Sequence, residues 1–106
     1  MSVVKTSERL HWLMPARHYL ACLLECEREI LPREGVIILG LAVQLLKQQL
    51  ALDAIIEVSK KASIYMVDED CELFLGEMSL PNQIEVIKTS SLADLIMQYD
   101  LHQTWG

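Results

Sequence analysis

The stretch Gly35-Val36-Ile37-Ile38-Leu39-Gly40 constrains the fold more than any other part of this chain. It is a short, uninterrupted apolar run, rich in β-branched residues and bounded by glycine at each end. A strand with one face in water alternates apolar and polar residues. A continuous run of this length instead fits a strand covered on both faces, as in a parallel sheet with helices on either side. Its surroundings agree. Apolar residues at Tyr19, Leu20, Leu23, Cys26 and Ile30 repeat with helical period before it, and Pro32 stops that pattern. Ser7 and Pro15 both offer starts for this first helix.

The segment from Ala42 to Ala62 is again rich in helix formers, and Gln48-Gln49 interrupts its apolar stripe. It reads as one helix or two. Ile64-Tyr65-Met66-Val67 is a further strand, followed by Asp68-Glu69-Asp70. Those carboxylates suit the positive end of a short helix, Cys71 to Leu75, with Gly76 as its stop. Ile84 to Lys88 is the last apolar strand, and Thr89, Ser90 and Ser91 offer caps for a helix carrying Leu92, Leu95, Ile96 and Tyr99. Val3-Val4 supplies a first strand. His11 and Trp12 fall before the first helix. The order is βαβαβαβα over a single domain, residues 1–106. It predicts an α/β fold with an open, mostly parallel sheet of four to five strands and helices on both faces. Sites in such sheets form beyond the carboxyl ends of the strands. Here that edge holds Thr6-Ser7, Gly40-Leu41, Asp68 to Cys71 and Thr89 to Ser91.

Composition narrows the function classes. Of 106 residues, 52% are apolar, enough for a core without metals or disulfides. Fifteen acidic residues against nine basic ones give a formal net charge of −6. That disfavours a phosphate-binding face, so no direct nucleic-acid contact is expected. The run from Gly35 to Leu46 is too short to span a bilayer, and no signal peptide is recognisable. Three scattered cysteines without zinc-site spacing point to reduced thiols and a cytoplasmic protein with no metal and no cofactor. The four glycines form no phosphate loop, and no serine has a base near it in sequence.

Three stretches resemble a known family. They are Ile64 to Asp70, Ile84 to Ile87 running into Thr89 to Leu95, and the close of a short helix at His102-Gln103-Thr104-Trp105. From Ser63 to Trp105 this succession looks like the C-terminal half of the DsrH/TusB-like members of the DsrE/DsrF/DsrH superfamily. A weaker likeness extends back through Gly35–Leu39 and Val3–Ser7. The resemblance implies a three-layer α/β sandwich. It also implies a subunit that handles persulfide sulfur, for tRNA 2-thiouridine modification or sulfur oxidation, in complexes of related subunits or with itself. DsrH/TusB-like members are often the partner without the main catalytic cysteine. The family commonly carries Ala-Arg-Gly in the short helix where this chain has Phe74-Leu75-Gly76.

A sulfur carrier needs an accessible thiolate. Cys71 holds the best address, after the third strand, where the family's carriers place their cysteine. A helix terminus would lower its pKa, while Asp68, Glu69, Asp70 and Glu72 would raise it. Cys22 and Cys26, on the first helix, are weaker candidates, with His18 one turn before Cys22. All three also read as packing residues. Trp105 and His102 are expected at a subunit interface. On this reading the chain is at most a persulfide carrier rather than an independent enzyme. It stands either as a carrier or as a structural partner. The competing class is a small acidic inhibitor or immunity-type module that binds a basic partner without sulfur chemistry.

Overall fold

The computed structural model describes residues 8–14 and 18–105. Five strands form one sheet: β1 (Arg9–Leu13), β2 (Gly35–Ile38), β3 (Ser63–Val67), β4 (Ile84–Ile87) and β5 (Leu101–Trp105). They lie in the order β4-β3-β2-β1-β5, and every neighbouring pair is parallel. The α-helices are α1 (Tyr19–Glu29), α2 (Gln49–Ser59), α3 (Asp68–Leu75) and α4 (Leu92–Met97). The expected α/β class with an open parallel sheet is therefore present, with five strands.

Strand order decides where the helices go. The chain steps from β1 to β4 in one direction, and right-handed crossovers place α1, α2 and α3 on a single face. It then returns past β1 to lay down β5, which puts α4 on the other face. Two apolar clusters record this. The larger joins Leu23 and Cys26 of α1, Ile55 and Val58 of α2, and Cys71 and Leu75 of α3 to Leu13, Val36, Ile38, Ile64 and Met66 of the sheet. The smaller joins Leu95 and Tyr99 to Leu10, Ile37, Tyr65 and Val67. β2 is buried at all four positions, as its unbroken apolar run predicts.

Three local expectations need correction or completion. Val3-Val4 lies outside the described residues, and the first described strand is Arg9–Leu13. His11 and Trp12 lie within it, ahead of α1 as expected. Residues 101–105 form β5 rather than the end of a helix, because they pair in register with Arg9–Leu13 and their polar side chains find partners on β1 in Trp12, His11 and Arg9. The 42–62 segment is two helices. A 3-10 stretch over Gly40–Lys47 ends at Gln48, whose extended backbone (φ −106°, ψ 124°) separates it from α2. Gly76 stops α3 as expected, at φ 60°.

Candidate functional site

The carboxyl edge of the sheet is the natural place for a site. Leaving β3, the chain goes to one face through α3. Leaving β4, it goes to the other through α4. Adjacent strands whose exits diverge leave a crevice between them. The residues there are Asp68 to Cys71 after β3 and Thr89 to Ser91 after β4. Asp70 Oδ2 accepts the Gly40 N–H at 2.8 Å, which ties the end of β2 to α3. Gly40 has φ 55°, a left-handed turn that suits glycine. Asp68 Oδ1 accepts the N–H of Glu69 at 2.8 Å and lies 3.5 Å from the Thr89 hydroxyl, joining the ends of β3 and β4. Asp68, Glu69 and Asp70 all occupy the first turn of α3, where the helix dipole favours negative charge. The acidic turn thus fastens the edge and offers hydrogen-bond acceptors. Among the described residues no group of three or more His, Cys, Asp or Glu is arranged to hold a metal ion.

Cys71 follows directly in α3, but its side chain turns into the larger core cluster, and the residue is 9% exposed. Burial pushes its thiol pKa up, and the charges of Asp70 and Asp68 push it further in the same direction. Cys26 is fully buried in the same cluster. Burial first, then Glu34 and Glu29, pushes its pKa up to about 12. Cys22 is half-buried against that cluster, in the first turns of α1. All three thiols are free. His18, at the start of α1, is exposed, and its carbonyl accepts the Cys22 N–H at 3.0 Å.

His102 and Trp105 lie on opposite faces of β5, and each pairs with β1. The Trp12 indole N–H donates to His102 Nδ1 at 2.9 Å on the α4 face. On the other face the Trp105 indole N–H donates to His11 Nδ1 at 3.0 Å. Trp105 is half-buried against the larger core cluster of its own chain.

That second pair opens a buried polar network which the sequence reading did not anticipate. His11 exposes no surface, and Glu34 is 4% exposed. His11 Nε2 lies 2.9 Å from Glu34 Oε1. An indole N–H can only donate, so His11 Nδ1 accepts and Nε2 carries the proton given to Glu34. Glu34 Oε1 also accepts the Leu31 N–H at 2.9 Å, and Oε2 accepts Arg9 Nε at 3.2 Å. Arg9 continues to Gln103 Oε1 at 2.6 Å. A tight turn aims the carboxylate inward. Arg33 takes φ 72°, and the Glu34 N–H returns to the Leu31 carbonyl at 3.2 Å. The network joins β1, β5 and the entry to β2. With His11 sealed from solvent, its chemistry is structural: it holds strands rather than substrates. No sequence spacing announces it, because its members stand 23 and 94 residues apart.

No protein-family model matches the chain, and no curated protein matches it. Among the described residues no helix is long and apolar enough to cross a membrane.

Proposed function

We propose that this chain is a structural, non-carrier subunit of a sulfur-relay assembly, in the manner of the DsrH/TusB-like members it resembles. The observation that carries the non-carrier part is the burial of Cys71 behind Asp68 and Asp70. The cysteine stands where a carrier would need it, directly after β3, yet its thiol is held protonated and turned into the core. A carrier requires the opposite, an accessible thiolate in electropositive surroundings. The relay part rests on the sequence succession from Ser63 to Leu95; the tail at His102–Trp105, which the resemblance reads as closing a helix, is a strand. That succession is supported by the order of parallel strand, acidic turn, short helix stopped at Gly76, strand, and helix that the chain follows there. In this role the acidic carboxyl edge and the outer surfaces serve to dock related subunits, which bring the reactive cysteine.

Assembly tests this directly. Mixed with DsrE-like and DsrF-like carrier subunits, the chain is expected to co-elute with them in gel filtration as one complex. Separate elution from both would overturn the relay reading. Co-elution with an unrelated basic protein instead would favour the acidic binding module.

A further inference from the structure

We propose that the outer edge of β5 pairs with the same edge of a second copy of this chain, antiparallel and centred on Gln103, so that two sheets become one. The ladder to β1 shows which groups are free to do this. The Leu101 N–H donates to the Glu8 carbonyl at 3.3 Å, and the Met14 N–H donates to the Trp105 carbonyl at 3.2 Å. In a parallel ladder the bonded residues alternate along the strand. Leu101, Gln103 and Trp105 therefore spend their backbone groups on β1. His102 and Thr104 turn theirs outward, at the end of the sheet, and no described residue takes them.

Sheet edges are ordinarily guarded by charge, proline or a bulge. At the opposite edge, β4 has only four residues, carries Glu85 and is followed by Lys88. β5 reads Leu-His-Gln-Thr-Trp, with no acid, lysine, arginine or proline. A chain of net charge −6 repels its own copy over most of its surface; the five residues of this strand carry no acid, and the nearest one in sequence is Asp100, just before it.

The strand is also complementary to itself. Antiparallel pairing about Gln103 sets Leu101 opposite Trp105 of the second copy and His102 opposite Thr104. Each His102–Thr104 pair closes two backbone hydrogen bonds. Gln103 meets its own copy on the two-fold axis, as the non-hydrogen-bonded pair with the closest Cα approach. Leu101, 48% exposed in the single chain, gains an indole to pack on. Gln103 Oε1 is occupied by Arg9, which leaves its amide hydrogens for the other copy. The contact is isologous, so it closes at two copies rather than growing. It does not depend on the sulfur-relay reading.

Sedimentation equilibrium of the whole chain, over concentrations from about 1 μM to about 1 mM, spans the relevant affinities. A monomer–dimer equilibrium is expected. Thr104→Pro removes one outward N–H and nothing inside the chain, a change that edge strands accept. It is expected to weaken the dimer at least about tenfold, roughly the loss of one hydrogen bond at each symmetric position. Gln103→Cys is expected to give a disulfide-linked dimer on mild oxidation, because the axis brings the two residues within bridging distance. The wild type should give none. If Thr104→Pro fails to fold, the cross-link decides. A wild type that stays monomeric, a dimer that folded Thr104→Pro leaves at full strength, or an absent cross-link each overturns the proposal. A foreign strand as the true occupant would appear as the first of these.

Discussion

Glu34→Ala is expected to lower the unfolding free energy by about 3–5 kcal/mol, from two donors left without an acceptor at about 1–3 kcal/mol each and a lost ion pair to Arg9. That is a large share of the roughly 5–15 kcal/mol available to a domain of this kind. The loss has three sources. The Leu31 N–H loses its acceptor, Arg9 loses its anion, and the buried His11 Nε2–H has nowhere to donate. Truncation also leaves a void where the carboxylate was. Urea unfolding near neutral pH measures the loss as a lower midpoint with an unchanged slope. Glu34→Gln keeps one carbonyl acceptor and should lose only about 1–2 kcal/mol. An alanine variant within about 1 kcal/mol of wild type would show that the network contributes little.

The same carboxylate sets a pH dependence. Burial pushes its pKa up. The His11 hydrogen bond, the Leu31 N–H and the charge of Arg9 outweigh that and hold it below the ordinary glutamate value. A group depressed in the folded state contributes stability at pH above its unfolded value, about 4.3 for glutamate. That contribution is lost as pH falls through the lower, folded value. Acid titration of stability should therefore show a steeper loss below about pH 4 in wild type than in Glu34→Gln. Parallel curves would contradict the assignment.

Gly35→Ala is expected to cost about 2–3 kcal/mol, near the top of the range for overpacking a core by one methyl. A Cβ at Gly35 would stand 2.8 Å from Tyr99 Cζ and 3.2 Å from Leu10 Cδ1, and it would meet the Tyr99 hydroxyl closer still. The ring has little room to retreat. Tyr99 is buried, and its hydroxyl lies 3.1 Å from that of Tyr65, with the two rings edge to face. This is the junction where α4 packs on its face of the sheet. A double variant with Tyr99→Leu removes the obstruction, so its loss should fall short of the sum of the two single losses. Strict additivity in thermal or urea unfolding would mean that the ring moves freely.

The parts of this fold that sequence reasoning finds are those whose physics is local. β2 and β3 are apolar runs with covers on both faces, and α1 and α2 carry helical stripes. Gly76 stops a helix because its backbone adopts a left-handed angle. β1 and β5 escape the same reading because they carry Arg9, His11, His102 and Gln103. Those polar atoms become tolerable in a sheet only through partners far along the chain, such as Glu34 for His11 and Trp12 for His102. The candidate site divides the same way. The acidic turn and Cys71 were legible as an address at the carboxyl edge. The direction of the thiol was not, since it depends on how α3 packs against the 3-10 stretch after β2.

The central claim, a relay subunit that does not itself carry sulfur, is tested most directly on the assembled complex. The complex is loaded with a cysteine desulfurase and cysteine, and each chain is then weighed separately by mass spectrometry. The expected result is one added sulfur on the carrier chain and an unchanged mass for this one. A sulfur adduct on this chain that Cys71→Ser removes would contradict the claim and make Cys71 a carrier.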